Sequence, residues 1–412
     1  MSHTKIDRAV IVKLREKYRA ELYDNVLPFW IKNSPDREFG GYFNCLDRDG
    51  RRYDTTKHVW LQGRQVWMMS RIHNELHRPG ENSPYLDMAR LGAEFLRRHA
   101  RDGRCVYFSL TREGKPTHLQ RKIFSECFYV MALAEYARAS DDDSATAEAR
   151  EMLSHVIAYA KDPSLLGRPS YAHVPPTSNL AVPMILLNLI QEVNGADGTD
   201  YADLAAWCVN RMHLHIRPEL SLVLETVGVD GNVIDSPEGR LVNPGHAIEA
   251  GWFMLAHARR VRDAAMARTA IKIIDWSYDF GWDEKHGGIL YFLDSAGYSP
   301  VQLEWSMKLW WPHCEALVAF IMAYQETGDD RYFRKFERLT EYSFSKFSDP
   351  EFGEWFGYLD RHGEVNQRFK GGPYKGCFHV PRALFLVEKV LGELLAPNLG
   401  MQSLDVIDKS QI

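Results

Sequence analysis

Two histidines in the sequence each have an ionisable partner three residues further on. His246 and Glu249 lie in "NPGHAIEAGW", and His379 and Arg382 lie in "FHVPRAL". Residues three apart on a helix share one face, so each pair is predicted to interact. A nearby carboxylate favours the protonated imidazole, whereas a nearby guanidinium favours the neutral one. The two pairs therefore predict an acidic and a basic histidine at the same pH.

An acid and a base of this kind suit proton transfer at a carbon next to a carbonyl group, because histidine titrates near neutral pH. Two imidazoles on opposite walls of a pocket can remove a proton from one face of the carbon and return one to the other. Arg64, in "VWLQGRQVWM", is then predicted to stabilise the oxygen of an enolate intermediate. Aromatic residues such as Trp311, in "LEWSMKLWWPH", suit a sugar ring. The prediction is epimerisation or isomerisation beside a carbonyl.

Zinc chemistry and glycoside hydrolysis are the two other chemistries that these residues allow. The possible zinc ligands are His246, His313, His379 and Glu249. Neither HExxH nor HxxEH occurs, however. A glycosidase would use two carboxylates, Glu249 and Glu315, and would leave both histidines and Arg64 without a role. The residues therefore favour chemistry without a metal or an organic cofactor.

Apolar residues recur at helical spacing through most of the chain and predict twelve helices. The predicted ranges are 5–31, 60–76, 84–99, 122–139, 147–161, 179–194, 200–214, 246–262, 265–279, 310–327, 331–347 and 378–395. The connections alternate between long and short, and the long ones are 32–59, 100–121, 162–178, 215–245, 280–309 and 348–377. Short connections make neighbouring helices antiparallel. The even-numbered helices should therefore run parallel, with all six long loops at one end.

This alternation predicts an all-α fold, an (α/α)6 barrel with six inner helices inside six outer ones. An open α-solenoid is the alternative. We favour the closed ring because aromatic-rich loops gathered at one end indicate a single pocket. No linker interrupts the pattern, so residues 1–396 are predicted to form one catalytic domain and residues 397–412 a polar tail.

The long loops share a short internal pattern, an aromatic run followed by a turn that ends in glycine. The copies are "GGYFNCLDRDG", "CVYFSLTREG", "GGILYFLDSAG", "EWFGYLDRHG" and, more weakly, "VLETVGVDG". Such runs predict short β-hairpins. An ionisable side chain follows each turn glycine by 12 to 18 positions. These side chains are Arg64, Glu126, His246, His313, Glu315 and His379. The repeat predicts that they reach the loop end of the ring, and His313, Glu315 and Glu126 join the predicted substrate-binding set.

The composition excludes several classes of protein. The 412 residues are 45% hydrophobic and 25% charged, with a formal net charge of −5, which argues against a nucleic-acid partner. No apolar run approaches the roughly 20 residues of a membrane span. The N-terminus has no apolar signal segment, and the six cysteines are scattered without a CxxC pair. A cytoplasmic location is therefore expected.

Longer motifs carry a family resemblance. "VWLQGRQVWM", "RLVNPGHAIEAGWF", "QLEWSMKLWWPHCEAL", "DPEFGEWFGYL" and "KGGPYKGCFHVPRAL" resemble those of the N-acylglucosamine 2-epimerases, also called renin-binding proteins. The resemblance runs from about residue 20 to 395. It implies an (α/α)6 barrel, reversible interconversion of N-acetyl-D-glucosamine and N-acetyl-D-mannosamine, and a homodimer. It also implies ATP or another nucleotide as an activator that is not consumed, although "FKGGPYKG" is not a P-loop.

The resemblance also implies roles for individual residues. His246 and His379 resemble the acid/base pair of the family. The residues that match its pocket are Arg64, Glu249, Glu315 and Arg382. Some related sugar 2-epimerases carry a further histidine in the sixth helix, where this chain has "SNLAVPMI". That difference argues against an activity like that of the cellobiose epimerases.

Two competing functions remain open. An aldose–ketose isomerase of the same superfamily would move a proton from C2 to C1 on one face, so a single histidine would suffice. A protein-binding module is the second, since the family's other name implies a renin-like protease as a partner. An intact set of His246, His379 and Arg64 favours catalysis, because a pure binding protein has no use for it.

Overall fold

The computed structural model describes residues 6–169, 171–195, 198 and 200–396, and twelve α-helices dominate this part of the chain. Helix α1 consists of Arg8–Ala20, a π-helical turn at Glu21–Val26, and Leu27–Asn33. The others are α2 (Val59–Leu76), α3 (Pro84–His99), α4 (Phe124–Ser140), α5 (Asp143–Lys161), α6 (Ala181–Asn194), α7 (Ala202–His213), α8 (Pro244–Val261), α9 (Ala264–Gly281), α10 (Trp310–Thr327), α11 (Asp330–Lys346) and α12 (His379–Leu395). Each predicted helix is present, with ends shifted by a few residues. The predicted tail, 397–412, lies outside the described residues.

Capping side chains set where several helices begin. Ser83 accepts a hydrogen bond from the backbone N–H of Leu86 at 3.1 Å, and Pro84 is the first residue of α3. Asn243 accepts one from the N–H of His246 at 3.2 Å, just before α8. An asparagine cap followed by proline favours this start, because both satisfy or remove N–H groups that have no helical acceptor. The cap thereby fixes the position of the first candidate histidine.

The helices form two concentric rings. The even-numbered helices pack side by side in chain order from α2 to α12, and each odd-numbered helix packs outside an inner one. Helix α1 packs on α12, so the two ends of the chain complete the sixth pair. The inner ring is the more buried, and in α10 every residue except Gln325 is buried. The described residues therefore form the predicted (α/α)6 barrel.

Fourteen short strands lie in the connections of the described chain. They are β1 (Lys57–His58), β2 (Arg101–Asp102), β3 (Cys105–Val106), β4 (Ser109–Leu110), β5 (Pro116–His118), β6 (Thr177–Asn179), β7 (Ile216–Arg217), β8 (Leu222–Val223), β9 (Thr226–Gly228), β10 (Leu241–Val242), β11 (Leu293–Asp294), β12 (Lys308–Leu309), β13 (Tyr358–Leu359) and β14 (Val365–Gln367). Two 3₁₀ turns, Pro163–Leu166 and Pro218–Leu220, complete the elements.

The strand just before an inner helix pairs with a strand of the next long loop. The antiparallel pairs are β1 with β4, β6 with β9, β10 with β11, and β12 with β13. The predicted hairpins exist as β4–β5 and β13–β14, with Gly114 and Gly363 at positive φ in their turns. The loop 215–245 also holds a hairpin, β7–β8, but in the loops 215–245 and 280–309 the strands β9 and β11 of the predicted runs pair with the preceding loop. These pairings tie pairs of adjacent loops into a layer at one end of the barrel.

All six cysteines are free thiols. None of the described helices is both long and apolar enough to cross a bilayer.

Candidate active site

A cavity of about 470 Å³ opens at the loop end of the barrel. Its walls come from the first turns of four inner helices, α2, α8, α10 and α12, and from the long loops above them. Aromatic side chains form much of the lining: Trp60, Tyr291, Trp310, Trp311, Tyr358 and Tyr374. The ionisable residues in the lining are Arg64, His246, Glu249, Glu304 and His379. Aromatic walls with a few charged groups suit a small polar molecule that has an apolar face.

His246, the third residue of α8, is held by a carboxylate from the loop between β8 and β9. Its Nδ1 lies 3.0 and 3.1 Å from the two carboxylate oxygens of Glu225. Burial by itself lowers the pKa of His246, but the charges of Glu225, Glu249 and Glu315 outweigh burial, and the net pKa is raised. The predicted direction is therefore correct, but the main partner is Glu225 rather than Glu249.

His379, the first residue of α12, has different surroundings. Its Nδ1 lies 2.7 Å from Oε1 of Glu315. Burial, followed by the nearby guanidinium groups of Arg64 and Arg382, holds the pKa of His379 well below its usual value. A neutral imidazole that donates Nδ1–H to Glu315 satisfies both the distance and this direction. In that tautomer Nε2 carries the lone pair and is the basic nitrogen.

Arg382 connects the two halves of the site. Its Nη2 donates to Glu315 at 2.6 Å and to Glu249 at 2.9 Å. One guanidinium therefore bridges the two carboxylates and offsets part of their combined charge. Burial lowers the pKa of Arg382, but Glu315 and Glu249 raise it further, so the guanidinium stays charged.

Arg64 lines the same cavity without a carboxylate partner among the described residues. Its guanidinium lies 4.2, 4.6 and 4.9 Å from the ring centres of Phe128, Trp60 and Phe378. Burial, against the opposing charge of Glu249, lowers the pKa of Arg64 to about 9, so it remains a cation at neutral pH. A buried cation held by aromatic faces alone is poised to bind an oxygen that gains negative charge.

Trp311 lies beside both imidazoles. Its ring centre is 5.2 Å from that of His246 and 5.9 Å from that of His379. Gly245 makes this packing possible, because a β-carbon there would lie 2.6 Å from the indole ring of Trp311. Trp311 therefore lies on the wall of the cavity, where the sequence predicted it.

Four predicted substrate-binding residues are not part of the cavity lining: Glu315 and Arg382, which contact His379, and His313 and Glu126. His313 is fully buried, its Nε2 accepts from the N–H of Ile289 at 2.9 Å, and its Nδ1 donates to Leu309 at 2.6 Å. Burial lowers the pKa of His313 to about 3, so it is a neutral structural residue. Glu126 is buried beneath β3, where Oε1 accepts from the N–H of Val106 at 2.9 Å, and burial raises its pKa to about 7. Neither His313 nor Glu126 is part of the cavity lining, and each hydrogen-bonds to backbone groups instead.

The predicted zinc set is not brought together, because His313 lies elsewhere. A different group, Glu249, Glu315 and His379, places one possible ligand atom of each residue within 4.8 Å of the others. Arg382 already donates to both carboxylates of this group. A guanidinium in that position competes directly with a divalent cation.

Sequence reasoning missed several residues of the site, and Glu225 is the most important of them. It lies in the weak repeat "VLETVGVDG", 21 residues before His246, where helical spacing gives no signal. Tyr291 and Glu304 belong to the long loop before α10 and were also missed. Only the closure of the ring brings these loops over the inner helices.

Comparisons with known proteins agree with this geometry. The sequence profile of the N-acylglucosamine 2-epimerase (GlcNAc 2-epimerase) family matches residues 41–383. The chain belongs to the N-acylglucosamine 2-epimerase family. It is 46% identical to the N-acylglucosamine 2-epimerase of Homo sapiens, over 95% of this chain and 93% of the human protein. A cellobiose 2-epimerase of Ruminococcus albus is 25% identical over 88% of this chain and 95% of its own length.

A solved structure of similar fold supports the architecture. The cellobiose 2-epimerase of Spirochaeta thermophila superposes with a TM-score of 0.78, covering 94% of this chain and 99% of its own, at 21% identity. The likeness spans the whole ring rather than one part of it. Membership of the N-acylglucosamine 2-epimerase family makes this chain an isomerase of sugars that acts at C2.

Proposed function

We propose that the chain interconverts N-acetyl-D-glucosamine and N-acetyl-D-mannosamine through a two-histidine mechanism. The observation that carries this proposal is the pair of imidazoles on one cavity, His246 with a raised pKa and His379 with a lowered one. An acid and a base thus coexist at neutral pH. The human relative's name specifies N-acylglucosamine as its substrate, and the similarity extends that substrate to this chain.

The reaction begins with opening of the pyranose to the aldehyde, which makes the C2 proton acidic. His379 takes that proton through Nε2, the electron pair of the broken C–H bond forms a double bond between C1 and C2, and the π pair of the carbonyl moves onto the C1 oxygen. Arg64 stabilises the resulting enolate. His246 then protonates the opposite face of C2, and the carbonyl re-forms. The return reaction uses the two histidines in exchanged roles.

Solvent isotope exchange tests the mechanism. Purified protein incubated with N-acetylglucosamine in deuterated water should give N-acetylmannosamine with deuterium at C2, because the proton that is returned comes from a histidine in exchange with solvent. Product formed without C2 deuterium would contradict the scheme. Replacing His246 or His379 by alanine should cost roughly 10²–10⁴-fold in kcat, the usual contribution of a general acid or base.

The same assay distinguishes the isomerase alternative. An N-acetyl group at C2 blocks ketose formation, so an aldose–ketose isomerase would convert free mannose but leave N-acetylglucosamine unchanged. Anomeric proton signals identify each product. Conversion of mannose alone would favour the isomerase and overturn our proposal.

Four further properties are proposed by similarity to the family alone: a homodimer, activation by ATP or another nucleotide without its consumption, a cytoplasmic location, and binding of a renin-like protease. Sedimentation analysis tests the homodimer. Activity measured with and without ATP, together with analysis of ATP hydrolysis, tests activation by the nucleotide.

A further inference from the structure

Glu225 is a buried carboxylate whose closest side-chain partner is His246. Both of its oxygens lie within 3.1 Å of Nδ1 of His246. Its backbone is fixed on both sides, since its N–H donates to Leu241 at 2.9 Å and its carbonyl accepts from the N–H of Leu180 at 3.0 Å. Glu225 is not part of the cavity lining. Any effect that it has on the reaction must therefore act through His246.

The charge on Glu225 has no other balancing cation among the described residues that contact it. Its remaining side-chain hydrogen bond comes from the neutral amide of Asn179 at 3.3 Å. His215 lies nearby, but its Nδ1 donates to the carbonyl of Leu224 at 2.9 Å, and burial lowers the pKa of His215. A neutral His215 cannot balance the carboxylate.

Glu315, which contacts His379, differs in this respect. It accepts from Arg382 at 2.6 Å and from the indole N–H of Trp252 at 2.9 Å. The positive charge of Arg382 offsets its negative charge, so Glu315 orients His379 without stabilising an imidazolium. Each histidine thus has a carboxylate on Nδ1, but only the carboxylate on His246 lacks a competing guanidinium.

We propose that Glu225 is the positioning residue that fixes the orientation of His246 and keeps it as an imidazolium, which makes His246 the resident proton donor of the pair. This inference rests on the proposed two-histidine epimerisation. Two oxygens on one nitrogen restrict rotation of the ring and direct Nε2 away from the loop wall. The donor is then ready before the substrate binds.

Other charged groups near His246 have to be weighed. Glu249 on α8 and Glu315 on α10 act on His246 directly, His379 on α12 interacts with it, and Arg64 on α2 and Glu304 of the loop before α10 line the same cavity. Glu249 and Glu315 also raise the pKa of His246, but these two carboxylates share the guanidinium of Arg382. Removal of Glu225 takes away the largest of the charges that favour the imidazolium, so burial, which lowers the pKa of His246, should then weigh more heavily.

The variant Glu225→Gln tests the proposal, because it keeps the size of the side chain and removes its charge. The alkaline limb of the pH profile of kcat/KM should move to lower pH, since the pKa of His246 falls. At neutral pH kcat should drop by about 10-fold or more, with a smaller change in KM. Asp294→Asn is the matched control, because Asp294 is a buried carboxylate of the loop layer that pairs with Arg240 rather than a histidine.

Proton NMR of the histidine rings in the full-length protein gives a second readout that needs no turnover. The signal of His246 is assigned by its loss in His246→Asn. We expect His246 to titrate above the ordinary value of about 6.5 in the wild type, and lower in Glu225→Gln. An unchanged titration and an unchanged alkaline limb in Glu225→Gln would overturn the proposal.

Failure of the proposed function can be told apart from failure of this inference. If the wild-type protein does not epimerise N-acetylglucosamine, the proposed function is wrong. The NMR titration of His246 still tests whether Glu225 keeps His246 protonated. If Glu225→Gln does not fold, the wild-type titration decides, and His246 titrating below about 6.5 would overturn the inference.

Discussion

His246 and His379 each place an imidazole ring on the same cavity. The charged groups next to each ring make the pKa values of the two histidines differ. Glu225 faces His246 without a guanidinium partner, whereas Glu315 is shared between His379 and Arg382. A carboxylate that also binds a guanidinium orients the histidine, whereas a carboxylate without a guanidinium also stabilises the protonated form of the histidine. Two identical side chains therefore take opposite protonation states without any difference in their own chemistry.

Arg382→Gln tests the basic half of this arrangement. The guanidinium disfavours protonation of His379 directly and also balances Glu315 and Glu249. Loss of the Arg382 guanidinium should raise the pKa of His379 for both reasons. As the pH falls, His379 then becomes protonated, and stops acting as a base, at a higher pH than in the wild type. The acidic limb of the kcat/KM profile is expected to move to higher pH. An acidic limb that stays in place while kcat falls would show that Arg382 acts only on structure.

Arg64→Met tests stabilisation of the enolate. Methionine keeps much of the length and the contact with the aromatic rings around Arg64, but it carries no charge. If the guanidinium acts mainly on the intermediate, kcat should fall by roughly 10²–10³-fold with a small change in KM. Steady-state kinetics in both directions measure the effect. A rise in KM at constant kcat would instead assign Arg64 to ground-state binding.

At the scale of single residues, the sequence pointed to several groups that line the cavity but not to all of their partners. Spacing of three residues paired His246 with Glu249, yet Glu249 accepts its hydrogen bond from Arg382. The contact between Glu225 and His246 depends on a loop that folds over the ring. Local spacing carries no information on such a contact.

At the scale of elements, helical periodicity predicted every helix because burial of one face repeats along each. Counting from the turn glycines was less reliable. His313 and His379 stand equally far from their glycines, but His379 opens α12 while His313 is the fourth residue of α10. His313 therefore lies about one turn further along its helix than His379, where its ring is hydrogen-bonded to the N–H of Ile289 and the carbonyl of Leu309 in the core.

Gly245→Ala tests how two inner helices share space at the site. The added methyl group would lie 2.6 Å from the ring of Trp311, so the indole has to move, and with it the wall shared by both histidines. We expect kcat to fall by roughly 10²-fold, since displacement of about 1 Å near reacting groups has that cost. Kinetics of the variant and its thermal unfolding measure the two effects.

The double variant Gly245→Ala with Trp311→Phe is the control for this prediction. Phenylalanine is smaller than tryptophan and leaves room for the new methyl group. The double variant should therefore regain thermal stability relative to Gly245→Ala alone. If the double variant does not regain thermal stability, crowding against Trp311 is not the cause of the lower stability of Gly245→Ala.

At the scale of the whole molecule, the ring closes where the first long loop meets the last. The N–H of Lys370 donates to the carbonyl of Leu46 at 2.9 Å, and Arg48 pairs with Asp349 at 2.7 Å. Glu354 joins the same region to α1 by accepting from the indole N–H of Trp30. Residues far apart in the sequence therefore close the barrel, and no local pattern could have predicted their pairing.

Glu354→Gln tests how much this closure depends on one buried charge. Glu354 is fully buried and accepts from the ammonium group of Lys375 at 2.8 Å. A neutral amide leaves the buried ammonium unpaired, and breaking a buried ion pair from one side costs about 3 kcal/mol or more. The midpoint of urea unfolding should fall accordingly. Because Lys375 lies four residues before His379, epimerase activity should also be lost at a lower urea concentration than in the wild type.

Glu351→Gln is the matched control, since Glu351 lies in the same loop but its side chain is 63% exposed and forms its ion pair with Arg48 at the surface. Exposed ion pairs contribute about 0–1 kcal/mol, so its unfolding midpoint should stay near that of the wild type. Equal midpoints for the two variants would show that the buried pair does not hold the ring closed. A lower midpoint for Glu354→Gln alone would place the closing interaction at Glu354, between the first helix and the segment that carries His379.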